Sequence, residues 1–417
     1  MEVPENETES CGQTERTFLA ASTMLLIHTE LFEEGDDPLV STMFAAEYLR
    51  GNDRIIRKDD VPIFALMVEF FGIDDAVLLG LHPELGFFSH PGRPVLPRID
   101  CITHLNTIGP IEFQLSYRFD RESFQTIITR LPFVDVLHTS NKNRYTLTEG
   151  FCLICARLAY PCRWSDLRPS FGRHDDALSN IFWDLTSRIL HRVKARILLA
   201  HQEPDRWESY KAAFVARGSD PNLSVAGSLD AKQLTVCRPT RHQRAMYTGH
   251  KQEHCLKFQT VVVPDGLIIH STCGYSGRDH DSRIMRESGL LECWAGSPVL
   301  SQYRMIADSA YPNDGHVISL FTQRQRNNNP GCAAFNHRMS PLRQPVEWGY
   351  SRMTSLWSFL TMIHQMRTGS VSVSDLWLLS VWLTNLITCV DGGNIISDYY
   401  GTASPPTLEE YLNMTLN

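Results

Sequence analysis

SVAGSLDAKQLTV (residues 224–236), HCLKFQTVVV (254–263) and GLIIHSTC (266–273) stand close together in the chain. Each is rich in β-branched or alternating apolar residues, and Pro264-Asp265-Gly266 is a turn signal between the last two. Three such runs in a row predict an antiparallel meander. The text that follows changes period. HDSRIMRESGLLE (280–292) reads as a helix, QYRMIADSA (302–310) as a further strand, and PVEWGYSRMTSLWSFLTMIHQM (345–366) as a helix. Strands paired first with one another, then joined through a helix to another strand, predict an α/β fold with a mixed sheet flanked by helices.

The region before these strands has a helical period. Residues 120–131, 147–160 and 176–193 are helix candidates, with a short SDLRPSF element (165–171) followed by Gly172. Thr148-Glu149 marks the start of the second helix, Pro161 its end, and Asp175 or Asp176 is the expected cap of the third. Two helices joined by a tight turn and followed by a longer one have the helix-turn-helix outline. On that reading Arg173, His174, Arg188 and Arg192 face phosphates; the alternative is a helical bundle that packs on the next domain. The expected organisation is an acidic tail (1–15), a partly helical region of unassigned role (16–110), a helical domain (111–205), a polar linker SYKAAFVARGSDPN, and the mixed-sheet domain (221–411).

Bulk numbers narrow the class. The 417 residues exceed one ordinary core. Hydrophobic residues at 43% and charged residues at 21% describe a folded chain, and a net charge of -8 leaves any DNA contact to local basic patches. No early apolar run reads as a secretory signal, so the 11 cysteines are expected to be reduced thiols. Cys152 and Cys155 sit in an apolar helical run without a second pair at zinc-ribbon spacing, which predicts burial. The apolar stretch DLWLLSVWLTNLITCV is broken by Ser380, Thr384 and Asn385 and reads as a core helix. Neither a GxxxxGK[ST] loop nor a GxSxG elbow is present.

Three acids fall where such a fold can bring them together. Asp230 lies in the first strand, Asp308 ends the strand after the helix, and Glu347 opens the later helix. Phosphodiester hydrolysis requires such a carboxylate set, because two Mg²⁺ or Mn²⁺ ions ~3.5 to 4 Å apart activate the attacking oxygen and stabilise the leaving one.

The segment LDAKQLTVCRPTRHQRAMYTGHKQEHCLKFQTVVVPDGLIIH, followed in order by GYSGRDHDSRIMRESGLL, YRMIADSAYP and FNHRMSPLRQPVEWGYSRM, resembles the DDE nuclease domain of Harbinger-type transposases and their domesticated relatives. The resemblance implies a ribonuclease H-like fold preceded by an all-helical helix-turn-helix region. It implies a D, D, E triad at Asp230, Asp308 and Glu347 that binds Mg²⁺ or Mn²⁺, DNA cleavage with possible strand transfer, a nuclear location, and a separate Myb-like DNA-binding partner. The alternative is a catalytically silent domesticated transposase acting in DNA binding or regulation. Ala231 replaces the family's usual Gly, and Tyr350-Ser351 stands where Phe-Gly is usual; both departures spare the acids.

Other residues carry two readings each. Asp281 in the His-Asp motif either positions a metal or water or, as the favoured reading, caps the helix start. Arg238, Arg241, His242, Arg244, His250, Lys251 and Lys257 form the most basic stretch, either gripping DNA or solvating a strand surface. Arg343, four residues before Glu347, is placed to pair with a carboxylate or a phosphate, and Tyr311-Pro312 to lock a turn after Asp308.

Overall fold

The computed structural model describes residues 105–194, 203–249, 251–401 and 404–416, all within one compact unit, Leu96–Asn417. The expected acidic tail, nearly all of the 16–110 region, and His250 lie outside the described residues.

The first part is helical: α1 (Pro110–Tyr117), α2 (Arg121–Arg130), a two-stranded ribbon of β1 (Val136–His138) and β2 (Arg144–Thr146), α3 (Leu147–Ala159), α4 (Trp164–Phe171) and α5 (Asp175–Val193). Asp120 caps α2 by accepting from the Ser123 N–H, and Thr146 caps α3 by accepting from the Glu149 N–H. Gly172 ends α4 at a φ of 60°, the left-handed turn expected of it. Capping of α5 differs from expectation: His174 occupies the cap position, and Asp175 is drawn to Arg168 at 2.5 Å. Cys152 and Cys155 are buried in α3.

The expected polar linker is instead a helix, α6 (Pro204–Ala216). Trp207, Tyr210 and Phe214, three and four residues apart, fall on one helix face and are buried, which offsets the cost of ordering the backbone. Asp265, fully buried in the turn before the third strand run, accepts from the Tyr210 hydroxyl and lies 3.2 Å from Arg206, so the helix is tied to the sheet.

The sheet follows. β3 (Val225–Thr235) leads through a short α7 (Gln243–Met246) and β4 (Tyr247–Thr248) into β5 (Glu253–Val262), then β6 (Ile268–Ser271) and β7 (Tyr275–Ser276). β5 is the centre of the antiparallel part, pairing with β3, β4, β6 and β7. The expected helix at 280–292 is two, α8 (Asp281–Glu287) and α9 (Leu290–Gly296), because Gly289 takes a φ of 72° between them. They lead to β8 (Arg304–Ala307) and β9 (Val317–Ser319), which pair parallel with each other, as β8 does with β3. The sheet is therefore mixed, as the sequence predicts.

Helices α10 (Gln323–Asn328), α11 (Pro330–Arg343), α12 (Pro345–Leu356), α13 (Val373–Val390), α14 (Ile395–Tyr400) and α15 (Leu408–Leu416) complete the unit. α13 is the apolar stretch read as a core helix, and it is buried along nearly its whole length. Its polar residues are satisfied inside: Asn385 accepts from the Ile268 N–H and donates to the Ile268 carbonyl, and Thr384 accepts from the Trp357 indole. Against α13 pack α5 on one side and α12 on another, so helical region and sheet share one core.

Candidate active site

Strand register brings the first two acids together. Ser228 of β3 is paired with Ile306 of the parallel strand β8. Asp230 and Asp308 each lie two residues further on, Asp230 within β3 just past its pairing with β8 and Asp308 just past the end of β8, so a side-chain period of two sends both carboxylates to the same face. Asp308 is fixed there by a turn in which its Oδ1 accepts from the Ala310 N–H at 2.8 Å.

The third acid arrives from the helical layer. The Leu342 carbonyl, near the end of α11, accepts from the Ser228 hydroxyl at 2.8 Å and from the Tyr400 hydroxyl at 3.0 Å, so the helix end is anchored on β3. Arg343 then stands over the strand and Glu347 lies in the first turn of α12. One guanidinium joins two of the acids: Arg343 Nη1 is 3.4 Å from Asp230 Oδ2, while Arg343 Nη2 donates to Glu347. Arg343 thus fulfils the expectation of a carboxylate partner.

Tyr350 explains one of the departures noted above. Its hydroxyl donates to the Asp230 carbonyl at 2.9 Å and accepts from the Thr260 hydroxyl at 2.6 Å, so it pins β3 to β5 and α12 directly behind the acid. A phenylalanine lacks both bonds.

Burial dominates the electrostatics. It pushes the Asp230 carboxyl up to about 7; Arg343 opposes the shift and the neighbouring Asp308 and Asp281 carboxylates add to it. Asp281 is also raised, first by burial, with Lys257 opposing and Asp308 adding. Asp281 does not cap its helix as favoured from sequence: Lys257 Nζ lies 3.1 Å from its Oδ1 and donates to the Asp279 carbonyl at 2.8 Å. Tyr311 follows Asp308 with its ring buried and its hydroxyl without a hydrogen-bond partner among the described residues. The charges of Asp281, Asp230 and Asp308 all act on that hydroxyl.

This cluster suits a hard divalent cation. Its donors are carboxylate oxygens, their mutual repulsion favours a positive charge between them, and Tyr311 presents a buried hydroxyl that lacks a partner. Among the described residues no three His, Cys, Asp or Glu side chains stand close enough to hold an ion as they are, and Glu347 is the acid turned aside, toward Arg343.

Residues 229–385 match the family model described as DDE superfamily endonuclease. This stretch is a DDE superfamily endonuclease domain. Asp230, Asp308 and Glu347 all fall within the matched DDE segment, as do Arg343 and Tyr350. Comparison with curated proteins and with solved structures gives no match.

The basic stretch is divided by the fold. Lys257 turns inward to Asp281, Arg238 donates to Gln243, and Arg244 stays exposed on α7. Arg278, Arg283 and Arg286, not singled out from the sequence, face Arg244 across a cleft. Their only linear signal was a run of basic residues in GRDHDSRIMRES, whose position opposite α7 depends on the β5–β7 pairing.

Proposed function

We propose that this chain is a metal-dependent DNA nuclease of the Harbinger transposase kind, with Asp230, Asp308 and Glu347 as the metal-holding carboxylates. The observation that carries the reading is the placement of Asp230 in β3 and of Asp308 just past the end of the parallel neighbour β8, in the matched family segment, beside a buried hydroxyl that lacks a partner among the described residues. A sheet in which β3 runs antiparallel to β5 and parallel to β8 supports a ribonuclease H-like core.

Divalent ions bound at these acids supply activation of the attacking oxygen and stabilisation of the leaving oxygen at phosphorus. The chain's own residues do the rest. Asp230 must shed its proton before it can serve as a ligand, and Arg343, together with the Ala231 backbone, favours its charged form. Glu347 joins the other acids by leaving the guanidinium, which then faces the substrate phosphate as a bidentate donor. Tyr350 and the Leu342 carbonyl contacts hold the strand and helix in place during that exchange. In this reading α3, α4 and α5 form the helix-turn-helix, a Myb-like protein supplies further DNA contacts, and strand transfer uses the same acids.

The Arg343 clasp also supports a second reading, a domesticated scaffold in which the guanidinium permanently replaces the metal charge. Cleavage of supercoiled plasmid and labelled duplex separates the two. Mg²⁺- or Mn²⁺-dependent nicking that EDTA, Asp308→Asn and Glu347→Gln each abolish establishes the nuclease; a folded, DNA-binding protein that cuts with neither ion leaves the scaffold.

A further inference from the structure

Beside the carboxylates lies a basic trough that the reading above does not use. One recess, of about 860 Å³, is lined by His242 and Arg244 from the α7 side and by Arg278, His280, Arg283 and Arg286 from the α8 side. A second, of about 630 Å³, shares Arg244 and Arg278 with the first and continues to Arg238, Tyr247 and His254. Arg244 and Arg278 line both recesses, so the two adjoin. The inner end of the trough meets the acids: Lys257 bonds both the carbonyl of Asp279, which lines the trough, and the carboxylate of Asp281, which is coupled to Asp308.

The charge of this trough is not neutralised from within. Asp279 is the one carboxylate among the lining residues and is committed to Arg283 at 2.8 Å. Arg244, Arg278 and Arg286 are exposed and have no carboxylate partner among the described residues. The walls are also preformed. The Arg278 N–H donates to the Ala245 carbonyl at 3.1 Å, and a Cβ at Gly277 would lie 2.5 Å from the Met246 carbonyl oxygen and 2.6 Å from Cys255 Sγ. At the outer end Tyr247 is 41% exposed, and its ring is steadied edge-on by His254 at 5.3 Å.

A row of unpaired arginines with an exposed aromatic ring at one end is the pairing of groups that holds single-stranded nucleic acid: cations track the phosphates, and a ring stacks on a base. Recesses of this volume admit nucleotide-sized groups. We propose that the trough seats an unpaired DNA strand leading away from the carboxylate cluster, with Arg244 and Arg278 on its phosphates and Tyr247 stacked on a base. The proposal rests on the nuclease reading for its substrate, DNA, and adds the form in which the DNA is held.

The test measures binding of the full-length protein, in EDTA, to a forked duplex with one unpaired arm and to a fully paired duplex of the same paired sequence. The fork is expected to bind about tenfold more tightly. Tyr247→Ala removes that preference while duplex affinity stays unchanged, and Tyr247→Phe keeps it. Arg244→Ala combined with Arg278→Ala weakens fork binding and lowers its salt dependence by about two phosphate contacts. Equal affinity for fork and duplex, a preference that survives Tyr247→Ala, or stronger binding when the arm is RNA overturns the proposal. Because EDTA prevents cutting, fork preference without nicking in the metal assay rejects the nuclease reading alone, and nicking without fork preference rejects this one alone.

Discussion

Arg343 Nη1 lies 3.4 Å from Asp230 Oδ2, placing a fixed positive charge against a carboxylate that burial makes costly to ionise. The same guanidinium reaches Glu347, so an incoming cation must compete with it for two acids at once. Arg343→Gln removes that competition and leaves Asp230 without its partner. Above about pH 8, where Asp230 sheds its proton without that help, isothermal titration should show Mn²⁺ binding tightened roughly tenfold, because like-charge repulsion at the site is relieved. Thermal unfolding in EDTA should show the metal-free protein weakened by about 2 kcal/mol, the loss expected when one member of a largely buried pair goes. Unchanged or weaker Mn²⁺ binding rejects the view of Arg343 as occupant of the metal's place.

The raised Asp230 carboxyl makes stability depend on pH in a direction opposite to that of most acids. Its ordinary value is 3.8 and its folded value about 7, so the folded state holds the proton more tightly than the unfolded state does. The stabilisation that comes from the neutral form is complete below about pH 4 and is lost as pH rises through about 7. The loss is on the order of 4 kcal/mol. In EDTA, Asp230→Asn should therefore match the wild type near about pH 4 and exceed it near about pH 8, and Mn²⁺ should restore wild-type stability only at the higher pH. Parallel melting-temperature curves for the two proteins across that range contradict the assignment.

The strands that carry this arrangement are legible in the sequence, and the remainder has identifiable physical causes. The β-branched runs around Asp230 and Thr260 predict their strands because pairing and burial both favour those residues there. The two-residue side-chain period places Asp230 and Asp308 on one face once β3 and β8 are known to be parallel, and the family segment covers both. Other features depend on tertiary contacts that local patterns do not carry. Trp207, Tyr210 and Phe214 are spaced for a helix but are diluted by Ser209, Lys211 and Arg217, so the segment reads as a linker until Asp265 and the sheet are in place. β9 is only Val317–Ser319, too short for its alternation to register. Arg278 and Arg286 acquire a role only when β7 folds back along β5 and brings them opposite Arg244.

The helical region offers a test of its own, because the four basic residues expected to face DNA do not share one environment. Arg173 is held by Glu149, with Nη2 2.9 Å from Oε2, and donates to the Arg144 carbonyl at 2.7 Å. Arg188 pairs with Asp184 at 2.8 Å, and that carboxylate also accepts from the Tyr145 hydroxyl. Arg192 is exposed in the last turn of α5 with no carboxylate partner among the described residues. Arg173→Ala leaves Glu149, whose side chain is 10% exposed, without its counter-charge. It should cost about 2 kcal/mol in denaturant unfolding, while leaving the salt dependence of duplex binding as it was. Arg192→Ala should do the reverse, with stability within about 0.5 kcal/mol of the wild type and a salt slope shallower by about one phosphate contact. If neither substitution alters the slope, α5 packs against α13 as part of the core and does not seat DNA.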